Sequence, residues 1–289
     1  MNKPIMKWPN GEKIAVSVVV NVEEGAEASI VEGDRGMEPV DELGVFVKKP
    51  IRNYGNESNY QYGIKAGAPR VMRLLDKYKV RATWTTAALA LERAPQIADY
   101  IRERGHEACA HGWRWVHQFR MDEDEEREFI RKAVASIEKT TGTRPYGWLS
   151  RYLLTDNTRR LLAEEGFKYH MDDYSDDQPF WHVAGGKPIV IMPYAVDTND
   201  MKFWTDPALT PDQWLKYAAD TFDWLYAEGE AGAPKYMSLG LHLRIIGRPG
   251  RIGAFEAFLK HVSAKPGVWM ATRLEIAEHF AAQVPADTA

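Results

Sequence analysis

The stretch "IAVSVVVNVEEG", Ile14–Gly25, sets the fold of this chain. Ile14–Val20 is almost entirely apolar and rich in β-branched residues, the composition of a buried strand. It runs into Asn21 and Val22 and then delivers two carboxylates, Glu23 and Glu24, just before Gly25. Two questions follow: what covers this strand, and what the two acids face.

Outward from it, strand and helix patterns alternate. Gly25–Gly63 has no clear period, and irregular stretches of that length usually carry a function or form an interface arm. "APRVMRLLDKY" then reads as a helix with Val71, Leu74 and Leu75 on one face. Further strands are read in "VRATWTT", "HEACAH", "PYGWLS", "FKYHM", "IVIM", "YMSLGLHL" and "VWMAT". Helices are read in "APQIADYIRERG", "DEDEEREFIRKAVASIEKTTG", "TDNTRRLLAEEG", "TPDQWLKYAADTFDWLYAEG", "IGAFEAFLKHVS" and "RLEIAEHFAA". Thr155 and Thr210 are the expected N-caps of two of these, with Pro211 at the first helical position. Such alternation predicts an α/β chain with a parallel sheet covered by helices. At 289 residues the economical form is one (β/α) barrel domain, 1–289. A doubly wound open sheet is the alternative, but no G-x-G-x-x-G follows the first strand.

Composition narrows the function. A net charge of −4, with no basic run longer than two lysines, gives no case for nucleic acid. No run approaches 18 apolar residues, so no membrane span is expected. One cysteine, Cys109, excludes an intramolecular disulfide and a Cys-rich zinc framework. With no secretory pattern at the N-terminus, the expected compartment is a reducing cytoplasm.

In a barrel of this kind the chemistry sits where the strands end. The first strand delivers Glu23 and Glu24, "HEACAH" ends on His111, "PYGWLS" runs into Arg151, and "YMSLGLHL" carries His242 with Arg244 just beyond. Taken singly, these are a solvated acid pair, two structural imidazoles and a surface ion pair. Jointly, from four strands, they predict an enzyme that works by activated water: a carboxylate as general base and a histidine as general acid. No G-x-S-x-G or Walker A motif is present. His111 and His117 are six apart, and Trp115 stands where a helical H-x-x-x-H pair would place its second imidazole.

At these residues the chain resembles the polysaccharide deacetylase superfamily. "NVEEG" resembles that family's T-F-D-D-G motif with both Asp changed to Glu. "GHEACAHGWRW" matches G-H-E-x-x-x-H-x-x-x-H up to His111 and then has Trp115 for the last His. Arg144-Pro145 and "LGLHL", with His242, match the later motifs. The family's divalent metal is held through the second Asp and two His, which here are Glu24, His111 and Trp115; an indole donates a hydrogen bond but does not ligate. "ESNYQYG", "HGWRW", "DDQPFW", "NDMKF" and "LHLRIIGRPGR" resemble the branch that opens small cyclic amides, the cofactor-independent allantoinases and cyclic imide hydrolases. The resemblance implies a deformed (β/α) barrel, a cytoplasmic homotetramer and a small planar cyclic amide or imide as substrate.

The expectation is therefore a cyclic amidase or imidase without a cofactor. Glu23 is its base and His242 its acid; Glu24, His111, Trp115 and Arg151 hold the ring. The alternative is a metal-dependent N-deacetylase on amino-sugar polysaccharide or peptidoglycan. It would bind one divalent metal such as zinc, through Glu24, His111 and His242 or with help from His117. A non-catalytic binding barrel is a third reading. "HMDDYSDDQ" carries four Asp and reads as a solvated turn rather than a metal site.

Overall fold

The computed structural model describes residues 5–44, 47 and 49–286. Among the described residues nine strands form one curled sheet: β1 (Ile14–Val22), β2 (Thr83–Thr86), β3 (Glu107–Ala110), β4 (Gly147–Trp148), β5 (Tyr169–His170), β6 (Phe180–Ala184), β7 (Lys187–Ile191), β8 (Lys235–His242) and β9 (Val268–Met270). The helices are α1 (Tyr54–Tyr62), α2 (Ala68–Tyr78), α3 (Ala88–Arg93), α4 (Pro95–Glu103), α5 (Glu123–Thr141), α6 (Thr158–Glu164), α7 (Pro211–Glu230), α8 (Leu243–Ile246), α9 (Pro249–Ser263) and α10 (Arg273–Gln283). The strand order is β6-β7-β5-β4-β3-β2-β1-β8, with β9 on β1, and every pairing except β6–β7 is parallel. This is a deformed (β/α) barrel. Among the described residues no ladder joins β8 back to β6; a single bridge, Asn199 to Gly240, stands on that side.

β1 is the hub. One edge pairs with β8 from Ile14 to Asn21; the other pairs with β9 at Ile14–Val16 and with β2 at Val19–Val22. All nine residues are buried, which explains why only Ser17 and Asn21 interrupt the apolar run. Its two faces serve different layers. Val16, Val18, Val20 and Val22 pack in the helix-facing core, whereas Ala15 and Val19 join Cys109, Leu149, Tyr169 and Tyr236 in a second core inside the barrel. Because side chains alternate along a strand, the inner column of β1 continues through Asn21 to Glu23. The same parity puts His111 after Cys109, and His242 after Tyr236, Ser238 and Gly240, on the inner face.

The predicted helical face Val71–Leu74–Leu75 is buried; full burial of each such side chain contributes about 1.5–3 kcal/mol. Thr210 caps α7 as expected, in a reciprocal capping box with Gln213. Thr155 caps the turn that leads into α6: its hydroxyl accepts the Asn157 N–H and its own N–H donates to Thr158 Oγ1, each at 3.1 Å. The helix itself starts at Thr158 after Asn157, and the Thr155 hydroxyl also donates to Glu126. Gly25–Gly63 is not irregular throughout, since it ends in α1. The buried face of α1 is polar: Asn56 donates to the carbonyls of Glu38 and Val40, and the Tyr60 hydroxyl donates to that of Val40, so no apolar period marks it. β6 is unforeseen; it forms an antiparallel hairpin with β7 through Gly185 and Gly186, both at positive φ. No described helix is long and apolar enough to cross a membrane.

Candidate active site

The inner columns of β1, β3 and β8 converge on a small cavity of about 30 Å³, lined by Glu23, His111, Trp115, Arg151, Tyr194 and His242 among others. It has room for one or two waters. Five of the six sequence-predicted site residues therefore meet. Glu24 does not line this cavity. It lines a larger one, about 370 Å³, together with Arg52, Glu57 and Lys65.

Glu23 is the electrostatic centre. One carboxylate oxygen accepts from Nη1 of Arg244 at 2.7 Å; the other lies 3.3 Å from His242 Nε2 and 3.6 Å from His111 Nε2. Burial alone would raise this carboxyl, but the charges of His242 and Arg244 outweigh it and hold Glu23 well below the usual carboxylate range. His242 Nδ1 meets Asp200 at 2.7 Å, and the other oxygen of Asp200 accepts the backbone N–H groups of His242 and Ile246. Burial disfavours the imidazolium, yet Glu23 and Asp200 overcome this and push His242 up to about 10. Asp200, His242 and Glu23 thus form a line of acid, imidazolium and acid. Its Nε2–H end faces the cavity, as a general acid requires.

His111 is committed differently. Its Nδ1–H donates to the Leu149 carbonyl at 2.6 Å, and its Nε2 accepts from the Trp115 indole N–H at 2.9 Å. These two partners define one neutral tautomer. Arg151 is also engaged: its Nη1 and Nη2 bind the Glu38 carboxylate, Nη1 reaches the Trp115 carbonyl, and its guanidinium stacks 3.8 Å over the Trp115 ring. The expected free cation for a substrate carbonyl is instead the clamp that holds the 36–44 stretch against the site. Glu24 accepts the backbone N–H groups of Glu23 and Arg244, each at 3.1 Å, and burial pushes its carboxyl up to about 7. It packs where a Cβ on Gly63 would come within 2.3 Å of its oxygen, so only glycine fits there. Asp200, Tyr194 and Arg244 are the site residues that strand-end reasoning left unassigned.

This geometry fixes a pH signature. Against an ordinary value of 6.5, the raised His242 contributes stability that is complete below about pH 6.5 and lost as pH rises through about 10. The depressed Glu23 contributes above its ordinary value of 4.5, and that part is lost only as pH falls below it. Urea unfolding from pH 6 to 10 should show declining stability, with a shallower decline in His242→Gln. Identical slopes for the two proteins would contradict the ion-paired imidazolium.

The chain matches the polysaccharide deacetylase family model over residues 58–170. A Schizosaccharomyces pombe protein, provisionally named a polysaccharide deacetylase, is 36% identical over 96% of this chain and 93% of its own. The chain belongs to the polysaccharide deacetylase family. It is accordingly a deacetylase-family hydrolase acting on carbon–nitrogen bonds. Two solved structures superpose with a TM-score of 0.94 at 39% identity and 99% coverage of this chain. One is a Pseudomonas aeruginosa protein provisionally named a polysaccharide deacetylase, covered over 97% of its length, and the other is PuuE allantoinase, covered over 96%.

The residues present do not fit the metal that this family implies. The Nε2 lone pair of His111 is taken by the indole N–H, and both ring nitrogens of His242 are engaged by acids. Both Glu24 oxygens accept backbone N–H groups, and His117 Nδ1 is bonded to the Arg151 carbonyl. A guanidinium stands 2.7 Å from Glu23 and 3.8 Å from Glu24. Among the described residues no group of three His, Cys, Asp or Glu is arranged to hold a metal, the "HMDDYSDDQ" turn included.

Proposed function

We propose that this family member opens small cyclic amides, with cyclic imides or other cyclic ureides preferred over allantoin, and that it does so without a metal. The observation that carries the reading is the indole of Trp115 bonded to His111 Nε2. It closes the imidazole to a metal while Glu23 and His242 keep the acid–base pair intact. The likeness to PuuE allantoinase over nearly the whole chain supports a ring substrate.

Glu23 is the general base and takes a proton from water as its oxygen attacks a ring carbonyl. His242, held by Asp200, protonates the departing ring nitrogen. Trp115 and His111 wall the flat ring, Arg151 orders that wall through Glu38, and Glu24 supports the strand end beneath it. The cavity, about 30 Å³, is smaller than a five-membered ring, so ring binding requires the side chains at its mouth to move. We further propose a cytoplasmic homotetramer, which sizing of the purified protein tests.

The deciding experiment is a panel of succinimide, glutarimide, hydantoin, allantoin and an N-acetylated amino-sugar oligomer, each with and without chelator. Chelator-resistant opening of imides or hydantoin is expected. Activity on allantoin alone would remove the imide preference. Chelator-sensitive release of acetate from the oligomer would replace the reading with an N-deacetylase.

A further inference from the structure

Resting on that reading, we infer that Tyr194 is a catalytic residue: its phenolic O–H donates the hydrogen bond that stabilises the oxyanion formed at the ring carbonyl. A metal-free amidase needs such a donor, because attack by water places a full negative charge on the carbonyl oxygen.

Tyr194 lines the cavity that holds Glu23 and His242. Its oxygen accepts from Asn21 Nδ2 at 3.0 Å, and among the described residues nothing accepts its own proton. A hydroxyl with its acceptor role filled and its donor role free offers that proton to the cavity. Asn21 belongs to the same inner column of β1 as Glu23 and pairs in register with His242, so the phenol is tied to the strand that delivers the base. The amide of Asn21 is itself fixed, because its oxygen accepts from Thr85 Oγ1 at 2.6 Å and its nitrogen also donates to the Leu241 carbonyl. β8 makes room at one point. A Cβ at Gly240 would lie 2.6 Å from the phenol oxygen, so only glycine lets the hydroxyl reach this position. Burial pushes the phenol well up, which keeps it a donor and not a phenolate.

The step balances. Water oxygen bonds to the carbonyl carbon, and one water proton passes to Glu23. The C=O pair moves to oxygen, which accepts a hydrogen bond from Tyr194 without taking its proton. On collapse the C–N bond breaks and nitrogen takes the His242 proton. The proton on Glu23 then returns to His242 across the 3.3 Å contact. One water has been added across the C–N bond.

Tyr194→Phe keeps the ring and deletes only the donor. With succinimide, kcat should fall about 10²–10³-fold, the scale of one oxyanion donor, with KM changed little and the melting temperature close to wild type. Gly240→Ala is the second variant. It leaves Tyr194 in place, displaces its hydroxyl and should also lower kcat. Wild-type turnover with Tyr194→Phe inside about threefold of it overturns this inference while the ring-opening reading stands. A loss confined to KM also overturns it. A wild-type protein inert on every ring overturns the reading and the inference together.

Discussion

Glu23→Gln should lose essentially all turnover, while Glu24→Gln keeps most of it. The two acids are neighbours in sequence, so the contrast isolates what structure adds. Glu23 faces the His242 cavity, and its ionised form is enforced by Arg244 at 2.7 Å. Gln still accepts from that guanidinium but does not take a proton from water. A general base typically contributes about 10²–10⁴ in rate, and that is the expected fall in kcat. Glu24 lines the other cavity, and with its carboxyl near 7 it is already partly neutral at physiological pH. Its replacement costs stability instead, because an amide NH₂ must meet one of the two backbone N–H groups that now donate to carboxylate oxygens. Steady-state kinetics on both variants, with unfolding curves as the control, check this. Equal loss of turnover in the two would show that the pair acts as a unit and would remove Glu23 from its separate role.

Much of this site was legible from strand ends. Glu23, His111 and His242 were found because each sits one step past, or at the end of, an apolar run that closes a barrel strand. Alternation would have gone further: Glu23 continues the inner column of Asn21, and Glu24 continues the outer column of Val22. Gly185-Gly186 carried the hairpin signal for β6. Other features had no local signature. Asp200 lies in a short 3₁₀ turn, Asp200–Phe203, and meets His242 only through the tertiary fold. Arg151 looked like a free cation because its partner, Glu38, is 113 residues away in a segment without period. α1 carries no sequence signal because its buried face binds backbone carbonyls through Asn and Tyr, a recognition that leaves no hydrophobic period.

Arg244→Met should be the most destabilising single change at this site. The side chain is fully buried. It donates to Glu23 through Nη1 and to Glu42 through Nε, each at 2.7 Å, and sits 4.3 Å over the Tyr60 ring. Met fills similar volume, so the loss is chiefly of charge. Removing one partner of a buried pair leaves the other uncompensated and costs about 3–5 kcal/mol. For a chain of this size that lowers the melting temperature by roughly 10 °C. The ionisation of Glu23 moves with it: without the guanidinium the carboxyl rises, so the acid limb of any residual activity shifts to higher pH. Arg244→Lys keeps the charge but not the fork that reaches Glu23 and Glu42 together, and should fall between wild type and Met. The double variant Glu23→Gln/Arg244→Met removes acid and cation at once. If the pair is coupled as the geometry requires, the double variant is more stable than the sum of the two single losses predicts. Strict additivity, or Arg244→Met melting with wild type, would show that Arg244 is not the counter-charge on which Glu23 depends.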